Sequence, residues 1–227
     1  VRPPEDIAAV LRIKHVVDLA AGVPGLVPFW GDLDHLGNEL QRYRPSAIHA
    51  TRTRCDLVAT PNGDKTWTSG ACTWGFDHRG LVDVGDYIEG TVSCSGGEGV
   101  WPALWLMPQA NPTGGPASSP ELDVVELVGA MPGHSEHHVH YNGADLGAQQ
   151  RLDWSQPHRY GMHVMKAGVG VYVDGVRIHV FPPAPWPTWP GGLGIIWNLA
   201  VGGWGGNPTA KLTAVATLTD LVVWQPA

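Results

Sequence analysis

Short runs of apolar and β-branched residues, each closed off by Gly, Pro, Asn or Asp, dominate this chain from about residue 47 onward. They predict strands at Ala47–Ala59, Ala71–Phe76, Gly80–Ser93, Val100–Met107, Leu122–Val128 and His137–Tyr141, with two more at Ile195–Val201 and Val215–Trp224. Between Val169 and Val180, two β-branched runs flank Asp174-Gly175, the kind of pair that a two-residue type I′ turn requires, so a hairpin is expected there. Nearer the N-terminus, Ile7, Val10 and Leu11 fit one face of a helix over residues 6–20, although β-branched residues crowd its second half. So many short antiparallel strands predict an all-β chain: a β-jelly-roll sandwich of two antiparallel sheets, in a single domain over residues 1–227.

Composition agrees with that architecture and narrows the ligand. Only 15% of the 227 residues are charged, against an average of about 25%, and Gly and Pro number 30 and 20, as expected of a turn-rich β protein. There are 11 Trp beside 5 Tyr and 3 Phe; a generic core takes Phe first, so Trp is expected to line a binding surface. A net charge of -7 with no Lys/Arg run removes the footprint of a nucleic-acid binder and disfavours a highly sulfated polymer. The uncharged stretch Val180–Ala210 contains six Pro and seven Gly, which a membrane helix could not satisfy, so no membrane span is expected. Within it, Pro182–Pro190, interleaved with Trp186 and Trp189, reads as a rigid loop. Val-Arg-Pro-Pro at the start has no apolar signal core, which fits a cytosolic chain or a mature one whose signal was removed. Cys55, Cys72 and Cys94 have no CxxC spacing; they are either three thiols or one bridge and one thiol.

Chemistry concentrates in Glu121-Leu-Asp-Val-Val-Glu126, three carboxylates within six residues of a chain short of charge. In a regular strand Glu121 and Asp123 share a face, but Glu126 points to the other. A β-bulge near Val124 or Val125 would return all three acids to one face and turn Leu122 and its apolar neighbours inward. Paired carboxylates are what glycosidic bond cleavage needs, one as nucleophile or base and one as proton donor. Asp123, between them, can hydrogen-bond one Glu and raise the other's proton affinity by like-charge repulsion. A solvated strand face and a Ca²⁺ site are the alternatives that this pattern alone leaves open.

Gly99-Val-Trp-Pro-Ala-Leu-Trp105, then Pro120–Gly129 around the acids, then Val139-His-Tyr141, then Trp197–Trp204, resemble the family 16 glycoside hydrolases in order and spacing, its laminarinase-type branch above all. Asn38–Tyr43, Ser69-Gly70 and Tyr172–Gly175 extend the resemblance from Trp30 to Trp224. It implies a jelly roll with a concave substrate cleft and retaining hydrolysis of internal β-1,3 or mixed β-1,3/1,4 linkages. Glu121 matches the nucleophile, Glu126 the general acid/base and Asp123 the assisting acid. Trp101, Trp105, His140, Asn38, Asn198 and Trp204 match substrate-lining positions. The polysaccharide is the implied partner; the chain is expected to act as a secreted monomer, with no catalytic metal and no cofactor. Asp220 is the one recognisable candidate for the structural calcium some relatives hold, and that site is not assigned. Where many relatives carry Arg after Ser-Gly this chain has Ala71, and their Glu-Ala-Arg reads Glu89-Gly90-Thr91.

Other readings compete. His138 and His140 share a strand face in His134-Ser-Glu-His-His-Val-His140, as zinc ligands would, but no third ligand is evident in the sequence. A non-catalytic β-glucan-binding module could use the same sandwich, although such a module would be expected to lack one of the acids. Galactan hydrolysis of the agar or carrageenan type and transglycosylation share the motif and the first chemical step.

Overall fold

The computed structural model describes residues 2–24, 38–76, 80–108, 120–141, 143–183 and 192–227. Its strands are β1 (Leu11–Val16), β2 (Val23–Pro24), β3 (Gln41–Tyr43), β4 (Ile48–Thr51), β5 (Arg54–Pro61), β6 (Trp67–Ser69), β7 (Ala71–Trp74) and β8 (Tyr87–Ser95). There follow β9 (Val100–Pro108), β10 (Glu121–Glu126), β11 (His134–Tyr141), β12 (Ala144–Arg151), β13 (His158–Met165), β14 (Gly168–Val173), β15 (Val176–Phe181), β16 (Leu193–Val201) and β17 (Ala214–Pro226). One sheet runs β15-β14-β13-β8-β17-β5-β6-β3, with β1 on β17 and β4 on β5; the other runs β12-β11-β10-β9-β16-β7-β2. The chain folds as a jelly roll. All described ladders are antiparallel except the short β3–β6 pair.

Alternation along the strands divides the residues between core and surface. From the seven-stranded sheet, Leu104, Leu106, Leu122, Ile195 and Trp197 face inward. They meet Ile88, Met162, Val171 and Leu218 of the other sheet in one buried cluster. Removing a side chain of this size from water stabilises the fold by about 1.5–3 kcal/mol. Residues one step out of phase, such as Trp105 and Asn198, line the opposite face of the seven-stranded sheet.

Several sequence expectations need correction. Residues 6–20 do not form a helix: one turn, Glu5–Ala8, is followed by β1, whose β-branched residues pair with β17. Ile7 from that turn packs on Tyr87, Tyr172 and Trp224 outside the ten-stranded sheet. Ala47–Ala59 splits at Arg52 into the hairpin β4–β5. Strand structure within Gly80–Ser93 begins only at Tyr87, because Gly80–Asp86 turns and makes a single bridge from Val82 to Leu193. The hairpin at Asp174-Gly175 forms as the sequence implies, with φ of 50° and 80° at the two residues. All three cysteines are buried free thiols, with Cys55 Sγ 3.6 Å from Cys72 Sγ across the sandwich. Trp30, Trp186, Trp189 and most of the Pro182–Pro190 loop lie outside the described residues.

Candidate active site

β10 carries the bulge that the spacing of its acids demands. Asp123 stands opposite His138 and Glu126 opposite Glu136, so three steps on β10 match two on β11. On the other side the register slips between Asp123–Trp105 and Val125–Leu104, which makes Val124 the extra residue. Val124 and Val125 are both fully buried, and the three acids share the outward face. Without the bulge, residues 121 and 126 would lie about 16 Å apart along the strand; with it the spacing falls to about 13 Å, on one side.

These pairings lay out a grid of side chains. Glu121, His140 and Asp145 form one rung across β10, β11 and β12; Asp123, His138 and Gly147 form the next; Glu126, Glu136 and Gln149 the third. His140 Nε2 lies 3.2 Å from Asp123 Oδ2 and 4.0 Å from Glu121 Oε1. Trp101, on β9, donates its indole N–H to Glu126 Oε1 at 2.9 Å.

Electrostatics separates the acids. Burial pushes Glu126 well above the usual carboxylate range, and the charge of Asp123 adds to it, against the opposing hydrogen bond from Trp101. Asp123 is likewise driven well above, by burial and then by the charge of Glu121. Glu121 is raised less, because it keeps more solvent contact and the charge of His140 opposes its desolvation. Of the three, Glu121 is thus the carboxylate easiest to keep ionised, with the two more strongly raised acids, Asp123 and Glu126, following it along the strand.

Around the acids, Trp105 donates its indole N–H to Asn198 Oδ1 at 2.7 Å, and Asn198 Nδ2 donates to the Tyr43 hydroxyl at 3.0 Å. Trp204, 38% exposed, packs edge-to-face against both Trp101 and His138, with ring centroids 5.7 and 5.4 Å apart. The structure therefore brings Glu121, Asp123, Glu126, Trp101, Trp105, His140, Asn198 and Trp204 onto one face. Asn38 is exposed at the edge of this region, next to Glu39, which bridges to Gly202. Ala71 pairs with Asn198 and carries no group that could reach a sugar. Glu89 lies elsewhere, buried on the ten-stranded sheet, where it accepts the Tyr87 hydroxyl at 2.6 Å.

Sequence reasoning missed Tyr43, Glu136 and Asp145. Tyr43 is 155 residues from Asn198, and no local pattern links them. Asp145 did have a signal: Asn142-Gly143 is a hairpin dipeptide in the sequence, which predicts residue 145 opposite 140, and β11 and β12 make that pairing. Among the described residues, two groups could hold a metal ion: His138, His140 and Asp145, and Glu121, Asp123 and His140. The third ligand not evident in the sequence is thus supplied by β12, while Asp220 joins no such group.

The model of the glycosyl hydrolases family 16 matches residues 86–219, a span that contains the bulged strand, the neighbouring β9 with Trp101 and Trp105, and His140. The chain belongs to glycosyl hydrolase family 16. Similar proteins include a β-glucanase of Rhodothermus marinus, 31% identical over 132 residues that cover 49% of this chain and 46% of that protein. Another is the endo-1,3-1,4-β-glycanase EglC of Rhizobium meliloti, 30% identical over 170 residues, 71% of this chain and 34% of that one. The chain spans less than half the length of these curated relatives. The catalytic domain of an endo-1,3-β-glucanase (laminarinase) from Thermotoga petrophila shares the fold, with a TM-score of 0.72, 21% identity, and coverage of 96% of this chain and 91% of that one.

Proposed function

We propose that this chain is a retaining endo-glycosidase that cleaves internal β-1,3 or mixed β-1,3/1,4 linkages of a glucan by double displacement. The carrying observation is the bulged strand: three acids on one face, with the strongest upward push on the two that must hold protons. Glu126 protonates the departing glycosidic oxygen while Glu121 attacks the anomeric carbon, forming a glycosyl ester. Glu126, now ionised and held by the Trp101 N–H, takes a proton from the water that cleaves that ester. Asp123 stays protonated between them and donates a hydrogen bond to Glu121, steadying the carboxylate before attack and after release. Trp101 and Trp204 offer apolar ring faces to sugar C–H groups, Trp105 and Asn198 form a braced floor, and His140 and Asn38 supply polar contacts.

The glucan substrate is supported by the printed activities of the relatives, a β-glucanase and an endo-1,3-1,4-β-glycanase. Such a polymer is too large to cross a bilayer, which supports action outside the cell. No described helix is long and apolar enough to span a membrane. All proposed catalytic groups lie on one strand, β10, of the seven-stranded sheet, which supports a monomer with a single catalytic domain. Azide separates the roles. With Glu126→Ala and an activated aryl β-glucoside, glycosylation proceeds and azide should yield the β-azide. With Glu121→Ala, direct attack should yield the α-azide. The same anomer from both variants, or an inverted wild-type product, overturns the assignment, and release of sugar only from agar or carrageenan overturns the substrate.

A further inference from the structure

The grid beside the proposed catalytic acids contains a second constellation, of which the proposed hydrolysis uses only His140, as a polar contact. His138 and His140, on alternate positions of β11, have rings only 9° from parallel with centroids 5.6 Å apart, so both imidazoles present the same edge. Asp145 stands on β12 directly opposite His140. Its Oδ1 lies 2.7 Å from His138 Nδ1 and 3.6 Å from His140 Nδ1. One donor atom from each of the three residues falls within 4.8 Å of the others. Four ligands around a tetrahedral zinc, at metal–ligand distances of about 2.0–2.1 Å, stand about 3.3–3.5 Å apart, so only small side-chain shifts would close this set on an ion.

The surroundings also suit a metal. A ligating imidazole commonly donates its second N–H to a carboxylate, which fixes the tautomer and orients the ring. Here His140 brings its other nitrogen, Nε2, to 3.2 Å from Asp123 Oδ2, a buried oxygen that has no hydrogen-bond partner and could accept it after a small rotation. His138 turns its Nε2 toward Glu136 Oε2 at 3.8 Å, and that buried nitrogen has no hydrogen-bond partner. Opposite His138 stands Gly147, where a Cβ would come within 2.9 Å of the imidazole Cε1; the missing side chain is the space the ring occupies. Trp204 also packs edge-to-face on His138, with ring centroids 5.4 Å apart. Asp145 is well exposed, which leaves an entry path and room for water as the fourth ligand.

From this geometry we infer that His138, His140 and Asp145 form a binding site for a divalent late first-row metal ion, Zn²⁺ foremost, at the edge of the substrate face. Two imidazoles and one carboxylate exclude the oxygen-seeking Mg²⁺ and Ca²⁺ as preferred occupants. Bound metal would tie edge strand β12 to β11 and keep the His140 ring beside Asp123. The inference does not rest on the glucanase reading, since the readouts below are independent of sugar cleavage.

The test is calorimetric titration of chelator-stripped full chain with Zn²⁺, accompanied by the visible absorption of added Co²⁺ and by thermal melting. The wild type should take up one Zn²⁺ per chain, give an intense Co²⁺ band typical of low coordination number, and melt at a higher temperature with zinc than without. Asp145→Asn and His138→Gln should each weaken Zn²⁺ binding by about tenfold or more while leaving the circular dichroism unchanged. Because Asp145 is exposed, Asp145→Asn stays informative if the histidine variant folds poorly. Glu121→Gln should bind zinc as the wild type does. Absence of saturable zinc binding, or unaltered binding in Asp145→Asn, overturns the site. Loss of binding in Glu121→Gln also overturns it, by moving the ion to Glu121, Asp123 and His140.

Discussion

Trp101→Phe isolates one hydrogen bond to the proposed acid/base. Phenylalanine keeps an aromatic face for a sugar and for Trp204 but removes the N–H that reaches Glu126 Oε1 at 2.9 Å. That bond favours the ionised form of a carboxyl that burial and Asp123 already push upward, so its loss pushes Glu126 further in the same direction. A hydrogen bond to a charged group is worth about 1.5–3 kcal/mol. At 1.36 kcal/mol per pH unit, the alkaline limb of kcat/KM, which reports the group that must be protonated, should move up by about 1–2 pH units. The assay is initial rates on a soluble mixed-linkage β-glucan from pH 4 to 10, with circular dichroism to confirm folding at each end. The rate below the optimum should change little for glycosylation, while deglycosylation, which needs ionised Glu126, should slow near neutral pH. An alkaline limb that stays in place or moves to lower pH would refute the reasoning. Movement of the acid limb alone would assign the Trp101 bond to a different group.

Three further outcomes follow from the same geometry. Glu121, Asp123 and Glu126 are all raised in the folded chain, so the folded state holds their protons more tightly than the unfolded one. Their contribution to stability is therefore complete below the unfolded carboxyl range and is lost as pH rises through the folded values. Accordingly, Glu126→Gln should melt above the wild type at pH 8, with the gap closing toward pH 4; a gap that widens on acidification contradicts this. Trp204→Ala should raise KM about 3- to 10-fold on polymeric substrate and leave kcat nearly unchanged, since one aromatic contact is worth about 0.5–1.5 kcal/mol; equal KM for both proteins in steady-state kinetics counts against the stacking role. Leu104, fully buried between the sheets, should cost about 2–5 kcal/mol when changed to Ala, measured by urea unfolding; a loss under 1 kcal/mol would mean the core closes around the gap.

Particular residues show what was legible. Asp174-Gly175 specified its turn because both positions adopt positive φ, which few residue pairs tolerate, and no distant contact is needed to select that conformation. The spacing of Glu121, Asp123 and Glu126 specified the bulge for an equally local reason: strand side chains alternate strictly, so five residues cannot return to the same face without one extra. Residues 6–20 misled because helical apolar spacing is a weak preference. Pairing of β1 along β17 and packing of Ile7 on Tyr87 and Trp224 outweighed it.

By itself, the sequence determined the all-β class, the principal hairpin, the bulged row of acids and the family, because each rests on spacings within about a dozen residues or on motif order. Tertiary structure alone decided which groups meet. Trp101 reaches Glu126 across a β9–β10 pairing 25 residues apart, Asn198 reaches Tyr43 over 155, and Cys55 faces Cys72 as a thiol. The unequal proton affinities of three chemically similar acids also belong to the fold. They arise from how deeply each is buried and which charge lies beside it, and burial is a property of the closed sandwich that no stretch of chain carries alone.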